Sequence, residues 1–206
     1  MPTVTNGDAE LYYETAGAGE TVVFVGDAGY GAWQWGWQHA AVAGPYEAIV
    51  TDLRGVGRSS EDATVDGVDT LASDLAAVLA DAGADAAHLV GAGLGGMVAL
   101  RAALSTSRVE SLTLIGTAAR GHGLDLDPLW GDPGDPRALE RSVAAGLSDT
   151  FLDAHPDAVE QMVAWRAAED APRPVFEAHA AAVAGFDVSD RLYEITRPTL
   201  VVHGGD

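Results

Sequence analysis

Leu89-Val90-Gly91-Ala92-Gly93-Leu94-Gly95-Gly96-Met97 is the stretch that decides the fold. The apolar run Ala87 to Val90 reads as a buried strand, and Gly96 to Leu104 reads as a helix of small residues. Between them, Gly91, Ala92, Gly93, Leu94 and Gly95 fall on the pattern G-x-S-x-G, a strand-to-helix elbow that lifts a nucleophile above the end of its strand. The nucleophile's place is taken by Gly93, which has no side chain. Glycine adopts the strained φ/ψ of such a turn without cost, so it suits the turn while removing the reacting atom.

The same rhythm extends outward from the elbow. Ala9 to Ala16 alternates around Leu11, Tyr12 and Tyr13, while Thr21 to Val25, Tyr46 to Val50 and Ser111 to Ile115 are short apolar runs. Such runs are strands buried on both faces. A tryptophan-bearing helix is predicted from about Ala32 to Val42, and a second from Val68 to Ala82 places Leu71, Leu75, Val78 and Leu79 on one face. Strand and helix in alternation predict a doubly wound, mostly parallel α/β sheet. At 206 residues the chain fits one domain, 1–206.

The alternation stops after Ala119. A stretch rich in Gly, Asp and Pro (121–136) leads into helical patterns over Leu139 to Ala145, Val159 to Ala168 and Pro174 to Val183. No strand is predicted until Thr199 to Val202. A helical insertion over about 120–190 is therefore expected to lie over the strand ends as a lid, where ligands bind in parallel sheets.

The formal charge is −20, and all eleven basic residues are arginine. Nucleic acid and anionic membrane surfaces are poor partners for such a chain. Acidic residues interleaved with apolar ones imply a packed core under an acidic shell, stabilised by salt, as in a cytoplasmic protein of a high-salt cell. Cysteine is absent, which excludes disulfides, thiolate metal sites and a thiol nucleophile. No histidine pair has metal-ligand spacing, so neither a metal nor another cofactor is expected.

Several segments in order resemble the α/β-hydrolase family, in its small lactonase-, esterase- and dehalogenase-like branch. They are Val22 to Gly31, Asp52-Leu53-Arg54-Gly55-Val56-Gly57-Arg58-Ser59, the elbow at Gly91 to Gly96, Leu112 to Gly116, and Arg197-Pro198-Thr199-Leu200-Val201-Val202-His203-Gly204. The resemblance implies hydrolysis of a small ester or lactone by a serine, an acid and a histidine in that chain order. This sequence departs from the pattern at all three. Gly93 stands at the nucleophile position, Asp206 is at or near the acid position, and the histidine segment that should follow is not found.

The expectation is thus a C-terminally incomplete sheet whose exposed edge invites self-association, and a catalytically impaired hydrolase. The alternatives are a non-catalytic relative that binds a small apolar ligand, and a truncated hydrolase fragment. The backbone N–H groups of Ala28 and Leu94 are the oxyanion donors the resemblance implies. The family commonly has His-Gly where this chain has Gly26-Asp27. Asp27 is expected to cap the following helix, the alternative being a carboxylate that points into the pocket. Trp33 and His122 complete the predicted pocket. Gly91, Gly93 and Gly96 also spell G-x-G-x-x-G, a remote alternative of dinucleotide binding, but the strand is an interior one and no acid closes the next.

Overall fold

The computed structural model describes residues 2–61 and 63–204. Seven strands, β1 (Thr3–Asn6), β2 (Ala9–Ala16), β3 (Glu20–Val25), β4 (Tyr46–Thr51), β5 (Ala87–Ala92), β6 (Val109–Ile115) and β7 (Thr199–Val202), form one sheet in the order β1-β2-β4-β3-β5-β6-β7. The pairs β1 with β2 and β2 with β4 are antiparallel, and every other pair is parallel. The central strands β3 and β5 thus end side by side, bringing the loop after Val25 against the elbow after Ala92.

Alternation along the strands divides the core. Val23, Val25 and Leu89 face one cluster with Leu71, Leu75, Met97 and Val98, which come from α2 (Val68–Asp81) and α3 (Leu94–Ser105). Phe24, Ala48 and Val50 face the other side, against Ala32 and Trp35. The two-residue period of a strand sends neighbours to opposite faces, so each face needs its own cover. That cover is helical on both sides, as the alternation of strand and helix predicts.

Two expectations about elements need correction. The tryptophan-bearing helix is two pieces, a 3-10 turn over Ala32–Trp35 and then α1 (Gly36–Val42). The elbow helix begins at Leu94 rather than Gly96, because Gly93 closes the strand and starts the helix in a single residue.

Between β6 and β7 lie α4 (Pro136–Ala145), α5 (Asp149–Ala154), α6 (Pro156–Glu169) and α7 (Arg173–Gly185). The short α5 is absent from the sequence reading because six residues are too few to show a helical period. Phe176, Ala182 and Val183 of α7 join the larger core, which anchors the insertion to the sheet. His179 fixes it further. It is fully buried, accepts the Gly29 N–H at Nδ1 (3.1 Å) and reaches the Arg54 carbonyl from Nε2 (3.1 Å). One side chain thereby ties α7 to the loops after both β3 and β4.

Candidate functional site

The elbow is built as its glycines require. Gly93 has φ +49° and ψ −115°, a left-handed backbone that residues with a Cβ rarely adopt. Its N–H donates to the Ile115 carbonyl (3.0 Å), and its own carbonyl accepts from Thr117 Oγ1 (2.6 Å). A Cβ added at Gly91, Gly95 or Gly96 would collide with the backbone of Gly95, the backbone of Val25 and the side chain of Thr117 respectively. These glycines let α3 pack directly onto β3 and β5.

A Cβ added at Gly93 would meet something else: the carboxyl group of Asp27. Asp27 follows β3, and its side chain crosses to the elbow instead of capping the next helix as expected. The following 3-10 turn has Gly31 at its N-cap, and its first N–H groups, those of Ala32 and Trp33, donate to Asp52 and Glu169 rather than to Asp27. Asp27 Oδ1 accepts the N–H of Ala28 (2.7 Å) and the N–H of Leu94 (2.8 Å). The two backbone donors named from the sequence therefore do converge on one point, and a carboxylate oxygen of the protein itself stands at that point. A donor pair of this kind serves a developing oxyanion.

Burial is the strongest influence on Asp27 and pushes its carboxyl above the usual carboxylate range, while the Leu94 and Ala28 N–H groups pull the other way. No cationic side chain contributes. Oδ2 accepts no hydrogen bond among the described residues and stays open to the cleft above. The Asp27 N–H is held by Gln34 Oε1 (2.8 Å), which fixes the residue from the backbone side.

That cleft has a volume of about 320 Å³ and lies between the loop after β3 and helices α4 and α6 of the insertion. Tyr30, Trp33 and Trp37 line it on one side, Met162 and Arg166 of α6 on the other. Tyr30 stacks near Trp33 (5.5 Å between ring centres), and Trp165 bridges Trp33 and Trp37 at 6.3 and 5.0 Å. Alternate spacing of the three tryptophans separates them: Trp33 and Trp37 reach the cleft, while Trp35 packs on Phe24 in the smaller core.

Arg166 is buried, and each of its nitrogens has a partner. Nε bonds Asp170 (2.6 Å), Nη1 bonds Ser142 Oγ (2.6 Å) and Nη2 bonds the Leu129 carbonyl (2.9 Å). Asp170 also accepts Trp33 Nε1 (2.6 Å), and burial raises its pKa to about 6 against the pull of Arg166. This lid network had no signal in the sequence beyond Arg166 and Asp170 standing four apart on a helical pattern.

His122 does not belong to the site. Gly121 packs against the Val183 backbone with no room for a side chain, and the chain then turns outward, leaving His122 exposed and away from the cleft. No histidine lines the cleft, and Asp206 lies outside the described residues. Among the described residues no group of three or more His, Asp or Glu could hold a metal ion. None of the helices described is long and apolar enough to cross a membrane.

Comparison with known proteins agrees with this architecture. The "Putative carbamate hydrolase RutD" of Azorhizobium caulinodans is 39% identical over 124 residues, which cover 60% of this chain and 47% of that protein. The chain thus spans about half the length of that relative. The 3-oxoadipate enol-lactonase 1 of Acinetobacter baylyi is 26% identical over 196 residues, covering 89% of this chain and 70% of the enzyme. Among solved structures, "Est816 as an N-Acyl homoserine lactone degrading enzyme" superposes with a TM-score of 0.81 at 28% identity, covering 97% of this chain and 80% of that one. The sequence profile of the alpha/beta hydrolase fold matches residues 28–206, and the chain belongs to that family.

Proposed function

We propose that this chain binds a small molecule in its lidded cleft and does not carry out serine-type acyl transfer on an ester or lactone. The observation that carries the reading is the Asp27 carboxylate, which fills both the space a Gly93 side chain would need and the pair of N–H donors beside it. Loss of a nucleophile alone leaves a serine protease ~10³–10⁴-fold above water, through its oxyanion hole and substrate binding. Here the hole is occupied too, so an ester carbonyl has no donors to meet. The cleft volume of about 320 Å³ is at the small end of ligand pockets. Carbamate, enol-lactone and homoserine-lactone chemistry, named for the relatives, suggests ligands of that size.

Incubation with a fluorophosphonate followed by intact-mass measurement, together with p-nitrophenyl acetate turnover, tests this. The expected result is no adduct and no saturable turnover. Ester turnover that the fluorophosphonate blocks would overturn the proposal. A second reading rests on the free Oδ2, which lets the Asp27 carboxylate itself be the reacting group. Its signature is turnover that survives the fluorophosphonate and vanishes in Asp27→Asn.

A further inference from the structure

Among the described residues, Asp27 and Arg166 are the two charged side chains that line the cleft. The Arg166 charge is already matched by Asp170 at 2.6 Å, whereas Asp27 has no cationic partner. The floor is therefore a carboxylate with one oxygen unbonded. Above the floor stand the rings of Trp33 and Trp37, backed by Trp165, while the Tyr30 ring beside them is already covered by the Arg166 guanidinium at 4.4 Å. At the Asp27 oxygen an anion meets repulsion, and a neutral carbonyl meets an acceptor where it needs a donor. A cation finds both a counter-ion and π-faces, the two features that recognise quaternary ammonium groups.

We propose that the cleft is a binding site for a small organic cation of the quaternary-ammonium type, with Asp27 as counter-ion and Trp33 and Trp37 as aromatic walls. The inference goes beyond the binding function proposed above and rests on the same placement of Asp27. Its cost to the free protein is a half-buried carboxylate with no cationic partner, a penalty the ligand removes. Binding therefore tightens as pH rises through the titration of Asp27. Tyr30, Arg166, Asp170 and Glu169 are the other ionisable groups around the cleft. Tyr30 stays neutral over that range, because burial raises its pKa well beyond the usual phenol value.

Isothermal titration calorimetry of choline, its uncharged isostere 3,3-dimethylbutan-1-ol and the anion 3,3-dimethylbutanoate tests the assignment. In about 1 M KCl the screening length falls to ~3 Å, which suppresses association with the acidic surface. The expected result is saturable binding of choline at least about tenfold tighter than of the isostere, with no binding of the anion. Asp27→Asn keeps the two acceptor bonds available while removing the charge, and should abolish the preference for choline. Trp37→Leu should weaken choline more than the isostere.

Equal affinity for choline and its isostere, tightest binding of the anion, or choline binding unchanged by Asp27→Asn would each overturn the proposal. These readouts do not involve ester turnover, so a fluorophosphonate-sensitive esterase that still prefers choline would refute only the function proposed above.

Discussion

Asp27 and Asp52 follow two neighbouring parallel strands, β3 and β4, and each reaches into the loops with a carboxylate that accepts two backbone N–H groups. Asp52 takes those of Ala32 (2.6 Å) and Arg58 (2.9 Å), and Asp27 takes those of Ala28 and Leu94. Burial raises both above the ordinary carboxylate range. They differ in what lies on the far side. Asp52 uses both oxygens and has the Arg58 guanidinium at 3.3 Å, so its charge is answered within the fold. Asp27 places both N–H bonds on one oxygen and leaves the other facing the cleft without a cation. A buried carboxylate whose bonding is closed holds a loop; one left open is available to a ligand.

The comparison can be broken most directly at Asp52. Asp52→Ala leaves the Ala32 and Arg58 N–H groups without their acceptor, while the Arg58 guanidinium keeps Glu14 at 2.7 Å, and should cost about 3 kcal/mol in the midpoint analysis of urea unfolding. A loss below about 1 kcal/mol would mean that Asp52 is not the structural member of the pair.

His179 sharpens the comparison through pH, because burial lowers its pKa to about 4 from 6.5. Its neutral form belongs to the fold, so the contribution is complete above pH 6.5 and is lost as pH falls toward about 4, where the unfolded chain binds a proton that the folded chain refuses. The difference in unfolding free energy between the protein and His179→Gln should shrink by about 3 kcal/mol across that window. Asp27 acts with the opposite sign: its raised pKa favours the folded state only while it is protonated, and the advantage disappears as pH rises through its titration.

The vacated elbow predicts strong coupling between Gly93 and Asp27. Gly93→Ala alone drives a methyl group into the carboxyl, whereas in an Asp27→Gly background only the strain of φ +49° remains. A double-mutant cycle on thermal or urea unfolding should give a coupling of about 2 kcal/mol, and additive effects would show that the two positions do not share space. The smallest effect is expected for Asp27→Asn without ligand. Removing an unanswered charge should stabilise the protein by about 1 kcal/mol at neutral pH, where the same change at Asp52 should destabilise it. Parallel melting curves of the two variants read this contrast.

The strands, the elbow and the donors at Ala28 and Leu94 were legible because each is a local pattern: an apolar run, a glycine spacing, a backbone group that exists whatever the side chain. Asp27 was legible as a departure from the family pattern but not in direction. Whether it capped its own loop or crossed to β5 depended on the missing side chain at position 93, sixty-six residues away. The Arg166 network and the His179 tie join the inserted helices to the body of the fold, and no periodicity carries such partners. His122 was placed at the pocket from its position after β6, yet the close packing of Gly121 on α7 turns it outward.

For a protein engineer, the glycines at 91, 95 and 96 make the junction of β3, β5 and α3 a fixed mount. At 91 and 95 backbone lies against backbone with no side chain between to act as a spring, and at 96 the helix backs onto the Thr117 side chain. A group installed on either side of the mount is therefore aimed by the frame rather than by its own flexibility. Asp27→Gly with Gly93→Ser would change which strand presents the reactive oxygen while leaving the aim of the site where it is.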